Sequence, residues 1–236
     1  GKVSGNSDVG GLVGWNVIGG TVSRSYATAD VTGLSESNAV GGLVGYNSDS
    51  ATTISRSYAT GDVSGDNRVG GLVGTNLFSA TVSRSYATGA VSGTREVGGF
   101  AGNNEGTVKK SYYDTETTGQ DTSAGGTGLT TEEMQGSSAT SNMGSLDFSG
   151  TWETIVAGRD ATGYPILSAV GRQAQLEAQG VNAYAGGSGT ASDPFEITDW
   201  NELNNTLQNL DANFTLVNDL NESTAGYDEV ASASAN

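Results

Sequence analysis

The chain has 236 residues, with 37 Gly, 2 Pro and neither Cys nor His, and 10 basic against 26 acidic residues give a net charge of −16. That composition excludes a Cys/His zinc site, a His-ligated haem, a disulfide framework and any catalytic triad built on Cys or His. A net-negative chain without basic stripes along it is expected to bind no nucleic acid, and no run approaches the ~20 apolar residues of a membrane helix, so no membrane insertion is expected. No secretory leader opens the sequence, which reads as a mature protein or an excised piece.

Internal repetition organises the first half. Gly10-Gly11-Leu12-Val13-Gly14-Trp15-Asn16 returns at 41–47, at 70–76 and, altered, at 98–104 as Gly98-Gly99-Phe100-Ala101-Gly102-Asn103-Asn104. A second block, Thr-Val/Ile-Ser-Arg-Ser-Tyr-Ala-Thr, occupies 21–28, 53–60 and 81–88, with Thr107-Val108-Lys109-Lys110-Ser111-Tyr112 as a degenerate copy. A third block reads Val3-Ser4-Gly5, Val31-Thr32-Gly33, Val63-Ser64-Gly65 and Val91-Ser92-Gly93. Length varies in two places only. The Asn-to-Thr spacers hold 4, 5, 4 and 2 residues, and the gaps from the third block to the next Val hold 3, 6, 3 and 3. Fixed blocks rich in Val, Ile, Thr and Tyr, separated by variable spacers, are strands and surface loops.

Three short strands per rung, four times over, predict an all-β fold: a parallel β-solenoid of about four rungs, right-handed by the general chirality of β crossovers. Rungs ~4.8 Å apart bring equivalent residues into columns. Val9/Val40/Val69/Val97, Leu12/Leu43/Leu72/Phe100 and Val22/Ile54/Val82/Val108 are the expected apolar stacks. The Gly columns allow sharp turns and close approach. Asn16/Asn47/Asn76/Asn104 ends a block, where Asn tolerates left-handed backbone and its amide can bond to the next rung.

Gly-Gly-Leu-Val-Gly-x-Asn followed by Ser-Arg-Ser-Tyr-Ala-Thr-Gly-Asp-Val-Ser-Gly resembles the GLUG-motif repeats of large bacterial and archaeal surface proteins, adhesin-like molecules among them. The resemblance is strong over residues 1–120. It continues weakly through Tyr113–Gly119, Gly125–Met134 and Gly163–Leu167, which are similar to segments that close such arrays. In the fourth copy Phe100-Ala101 replaces Leu-Val and Lys109-Lys110 replaces Ser-Arg, as in a terminal rung.

The repeats at 1–120 are followed by an expected closing region at 121–180. It holds one helical turn at Thr130-x-x-Glu133, cut off by Gly136, and a short helix from Gln173 to Gln179 ending at Gly180. Trp152, Ile155, Tyr164, Ile166 and Leu167 are read as an apolar patch sealing the last rung. Residues 181–236 are expected to hold a linker at 186–190, then a capping box at Asp199-Trp200-Asn201-Glu202. A helical face of Trp200, Leu203, Leu207 and Leu210 and a strand from Phe214 to Leu220 complete it. By resemblance, residues 191–220 look like the start of a fresh solenoid module. Both ends of the chain read as cuts through a longer array, or as halves of a head-to-tail contact.

Carboxylates are the main remaining catalytic groups. Asp30 and Asp62 share a column and could form the acid/base pair of a polysaccharide-acting β-helix enzyme; the favoured reading is of solvated loop-edge residues, and no catalytic residue is assigned. Arg24/Arg56/Arg84/Lys110 stack like charges beside the column Tyr26/Tyr58/Tyr86/Tyr112. Tyr26, Tyr58, Tyr86, Arg24, Arg56 and Arg84 are surface-ladder candidates that could bind sugars or an anionic surface, against the commoner reading of a structural Tyr ladder; a bend within the block would invert its faces. Asp114, Glu116 and Asp121 are weak candidates for Ca²⁺, with spacing that matches no defined loop and no other cofactor expected. The Thr columns lack the Thr-x-Thr pairing of an ice-binding face. Asn204, Asn213 and Asn221 open three glycosylation sequons. The expected function is a non-catalytic extracellular module, a rigid adhesive stalk or fibre on a microbial cell surface. Its expected partners are neighbouring modules or identical subunits stacked head-to-tail, and surface glycans. The alternatives are a self-assembling filament subunit and the β-helix enzyme.

Overall fold

A computed structural model describes residues 1–155, 163–168, 170, 172–180, 184–187, 189–206, 211–227 and 231. They divide into two compact units, residues 1–134 with 138–152, and residues 135–137 with 153–236.

The first unit is a parallel β-solenoid of four rungs. Its third rung runs Val63–Ser64, Asn67–Gly70, Val73–Asn76, Thr81–Ser83, Tyr86–Ala87, and the rungs before and after repeat that order. Every cross-rung pairing in it is parallel, and the repeat columns lie in register: Val40↔Val69↔Val97, Val44↔Val73↔Ala101, Ile54↔Val82↔Val108 and Tyr58↔Tyr86↔Tyr112. The repeat pattern predicts three strands per rung; the solenoid has four sheets. The extra sheet comes from a bend inside the Thr-Val-Ser-Arg-Ser-Tyr block. Arg24, Arg56, Arg84 and Lys110 take positive φ of 47°, 50°, 49° and 53°, so Thr21–Ser23 and Tyr26–Ala27 belong to different sheets.

The one long gap also has a structural outcome. In the second rung Asp30–Gly41 is a single continuous strand, and Lys2–Gly10 pairs along it with a register shift between Gly5 and Ser7. The surplus residues bulge outward, leaving Leu34 exposed.

Two apolar stacks fill the interior. One holds Leu43, Leu72, Phe100, Val44, Val73, Ile54, Val82 and the small column Ala27/Ala59/Ala87; the other holds Val31, Val63, Val91, Val9, Val40 and Val69. The predicted columns are therefore core, except at the first rung, where Leu12 is 51% exposed.

The paired glycines are required by proximity rather than by φ. A Cβ on Gly41 would lie 2.1 Å from the Val44 carbonyl oxygen, and one on Gly42 would lie 2.1 Å from the Gly71 carbonyl oxygen of the next rung. Neither is a positive-φ position. The Asn column is likewise not left-handed; the positive-φ duty falls on the Arg column and on Asp8, Ala39, Arg68 and Glu96.

After the fourth rung the chain covers its exposed edge. Ser123 Oγ accepts from Phe100 N (3.1 Å) and Ala101 N (2.9 Å), Gln120 Nε2 donates to the Val91 carbonyl (2.9 Å), and Thr127–Leu129 adds a last parallel strand beside Tyr112–Asp114. Thr131–Met134 begins with the predicted capping box, Thr130 N donating to Glu133 Oε2 at 2.9 Å. Gly136 at φ 54° does not end the helical region, because a second helix, Gly136–Asn142, follows.

In the second unit Ile155 and Ile166 form a core with Leu176, Tyr184 and Ile197, against which Phe195, Phe214 and Leu220 pack. The predicted patch therefore separates: Ile155 and Ile166 join the C-terminal segment, while Trp152 belongs to the solenoid. The helix Arg172–Ala178 lies close to its expected place. Residues 186–190 are not a free linker, since Gly186 bridges Glu196 and Thr190 bridges Asp193. Asp199 caps the helix Trp200–Asn205 by accepting from Glu202 N (2.8 Å), while Glu202 returns to Thr198, one residue before the cap. The helix ends before Leu207 and Leu210, which lie outside the described residues. The predicted strand is confined to Phe214–Leu216, in parallel with Phe195–Ile197.

Candidate functional site

Polar groups on the solenoid are arranged in ladders. Asn16 Nδ2 donates to Asn47 Oδ1 (2.8 Å), Asn47 Nδ2 to Asn76 Oδ1 (2.7 Å), and Asn76 Nδ2 to Asn104 Oδ1 (2.8 Å). Asn47 and Asn76 are wholly buried, so this amide chain serves the fold and not solvent. A second ladder runs through the serine after each Arg. Ser57 Oγ donates to the Ser55 carbonyl (2.9 Å) and accepts from Ser25 N (3.2 Å); Ser85 and Ser111 repeat both contacts. Left-handed Arg bends the strand and interrupts its main-chain pairing, and the hydroxyl bridges the gap. The recurrence of Ser two residues after Ser in the first three copies is the sequence signal for this ladder, which is visible only once the bend is known.

The bend also decides the Tyr/Arg question. Ala27, Ala59 and Ala87 point into the core, which puts the tyrosines on the opposite face. There Tyr26, Tyr58 and Tyr86 stack with centroids 5.3 and 4.9 Å apart and rings within 11° and 2° of parallel. Trp152 lies over them, 6.1 Å from Tyr58 and 5.5 Å from Tyr86. Tyr58 and Tyr86 are buried, so the Tyr column is a covered structural ladder and not an open sugar platform. Burial, with Tyr26 alongside, pushes the Tyr58 phenol far above its ordinary value of 10.0. Trp152 was legible only as an apolar residue, and nothing in the repeat pointed to its partners.

Asp30 and Asp62 act as main-chain acceptors. Asp62 Oδ1 takes the Ala90 N–H at 3.0 Å, and Asp30 Oδ1 takes that of Asp62 at 3.4 Å. Each carboxylate thus ties its rung to the next. Asp114 is fully buried as the cap of the helix Thr115–Thr118. Its Oδ1 accepts from Glu116 N (2.9 Å) and Thr117 N (3.1 Å), and its Oδ2 from Thr131 Oγ1 (2.7 Å). Glu116 accepts from Thr131 N (2.8 Å), whereas Asp121 meets the Tyr113 hydroxyl through its carbonyl (3.3 Å). Burial, then the Asp121 charge, raises the Tyr113 phenol above its ordinary value. Among the described residues no three carboxylates come close enough to hold a metal ion.

The sequon asparagines are all exposed. Asn204 lies in the helix Trp200–Asn205; Asn213 Nδ2 donates to the Gly189 carbonyl (3.2 Å); Asn221 Oδ1 accepts from Ser223 N (2.9 Å) and Ser223 Oγ (2.6 Å). Among the described residues no helix is long and apolar enough to cross a membrane.

No curated protein and no solved structure matches the chain. The GLUG motif does, at residues 5–32, 36–64 and 65–92, and each match covers one rung-length of the stacked columns. The fourth, altered rung lies beyond the matched residues yet keeps the register, pairing Val97 with Val69 and Tyr112 with Tyr86. Residues 5–92 are therefore three GLUG repeats, each forming one turn of the parallel solenoid.

Proposed function

We propose that the chain is a non-catalytic extracellular module, a rigid stalk on a microbial cell surface that holds adhesive parts away from it. The observation that carries this reading is the unbroken buried ladder from Asn16 to Asn104. A catalytic site needs groups freed from the scaffold, whereas here Asp30 and Asp62 are both engaged in joining rungs. Single-molecule pulling between the ends of the chain tests the mechanical claim. Repeats of 28 to 31 residues should leave one at a time, each adding ~100 Å of extended chain at ~3.4 Å per residue. Smooth extension at low force overturns the stalk. Depolymerisation of a polysaccharide that is lost in Asp62→Ala overturns the non-catalytic part.

A filament subunit is the second reading. It is favoured by the first rung, where Leu12 and Trp15 are 51% and 62% exposed while Leu43 and Leu72 in the following rungs are fully buried. Such an edge accepts a further rung. Concentration-dependent fibres in electron micrographs, lost in Leu12→Lys, are the expected result.

A further inference from the structure

Five of the chain's ten basic residues, Arg24, Arg56, Arg84, Lys109 and Lys110, fall on one corner of the solenoid although they are scattered over 87 positions of a chain with net charge −16. Arg24 N donates to the Ser55 carbonyl, Arg56 N to that of Ser83 and Arg84 N to that of Lys109, so the column keeps register from rung to rung. Its cations therefore recur every ~4.8 Å. Like charges at that spacing repel, and nothing offsets most of them: among the described residues the only ion pair is Arg68–Glu96. Asp147 is one acid that feels the row. Ser149 and Thr151 hold its carboxyl below the ordinary range and the Arg56 charge adds to this, without an ion-pair contact. Arg56 Nε is buried and has no hydrogen-bond partner. Arg24, Arg56, Arg84 and Lys110 also sit at a positive φ that Gly or Asn adopts more readily. Long basic side chains are thus kept, rung after rung, where both electrostatics and backbone preference oppose them.

We propose that this row binds a linear acidic glycan laid along the solenoid axis, one carboxylate or sulfate meeting one cation per rung. The row is single-file, and serine ladders lock its backbone on the side that leads to the tyrosines. Duplex DNA fits it poorly, with a charge every ~1.7 Å of axis, and the neighbouring tyrosines, being covered, offer no face on which bases could stack. The inference rests on the non-catalytic, adhesive reading above, but it is read by binding and not by extension, so either can fail alone.

The test is affinity electrophoresis of the full chain through gels containing sodium polygalacturonate, with neutral dextran and duplex DNA as comparisons. Polygalacturonate alone should retard the protein. Four charges, at ~0.7 per charge in the salt slope, weaken binding roughly fiftyfold between 50 and 200 mM salt. The variant Arg24→Gly/Arg56→Gly/Arg84→Gly/Lys110→Gly should lose retardation without a lower melting temperature, because glycine suits the left-handed bend. Should that variant melt early, Arg24→Ser/Lys110→Ser, which changes only the exposed ends of the row, should still weaken binding at least threefold. Equal retardation by dextran or DNA, no retardation by polygalacturonate at 50 mM salt, or variants that migrate like the parent overturn the proposal.

Discussion

Replacing Asn47 by Ala tests whether the amide ladder holds the rungs together. Asn47 is fully buried, accepts from Asn16 at 2.8 Å and donates to Asn76 at 2.7 Å. Truncation removes both bonds, at about 1 kcal/mol each, and leaves the Asn76 Oδ1 buried without that donor, which costs a further 1–3 kcal/mol or so. Asn16 Nδ2 suffers less, because it keeps the Thr53 carbonyl at 3.2 Å. The expected loss is about 3–5 kcal/mol, or roughly 10 °C in melting temperature for a domain of this size. Asn104→Ala is the internal comparison. It breaks one ladder bond at the far end and an exposed contact to the Ala124 carbonyl (3.3 Å), while Asn76 Nδ2 retains the Ala80 carbonyl at 3.2 Å, so about 1–2 kcal/mol should suffice. Urea titration followed by circular dichroism gives both numbers, with the slope showing whether cooperativity survives. If Asn47→Ala costs no more than Asn104→Ala, the ladder is ornament and main-chain bonding alone carries the stack.

Gly42→Ala should prevent folding, since its Cβ would overlap the Gly71 carbonyl; Gly19→Ala, with open space around it but φ at 75°, should cost only about 1–2 kcal/mol. Solubility and circular dichroism of the two variants separate these outcomes. Trp152→Ala should destabilise by about 3–5 kcal/mol and bring the Tyr58 phenol back toward its ordinary titration, read by tyrosinate absorption. In the parent, Tyr58 has a raised pKa, so its contribution is complete below pH 10.0 and declines as pH rises above that, where the unfolded chain ionises first. Denaturation midpoints should therefore fall above pH 10.0, and the fall should be smaller in Tyr58→Phe. Asp62→Ala should cost about 0.5–1.5 kcal/mol through the lost Ala90 N–H contact, measured by the same urea titration.

The stacking of rungs was legible because a solenoid writes its constraint once per turn. Each turn of the array meets the same neighbours above and below, so Gly41 and Gly42 face the same backbone collisions as Gly70 and Gly71, and the same residue solves them each time. Columns of Val, Leu and Asn follow from the same logic, and all three appear where the repeat predicts them. The closing segment had no such redundancy. Trp152 occurs once, and its partners Tyr58 and Tyr86 are about seventy to ninety residues away along the chain, a separation that no local pattern encodes. The helix Gly136–Asn142 was hidden for a related reason, since Gly-Ser-Ser-Ala-Thr-Ser-Asn has weak helical propensity.

The Ser-Arg-Ser-Tyr block shows where periodicity misleads. Strict alternation would place Ser23 and Ser25 on one face and Arg24 and Tyr26 on the other, making one mixed cation–aromatic stripe. A single left-handed residue breaks that rule, because strands on either side of it belong to different sheets and alternation does not carry across a corner. Tyrosine is thereby sent to a face that the chain itself covers, while Arg24 and Lys110 stay exposed at the corner. Sequence propensity gives no warning, since Arg is not a residue that usually marks positive φ. Gly at this corner would cost the fold nothing in backbone strain, whereas Arg or Lys occupies it in all four rungs. A residue repeated against its own conformational preference is being held there by what its side chain does, and on this corner the side chain contributes positive charge at the spacing of the rungs.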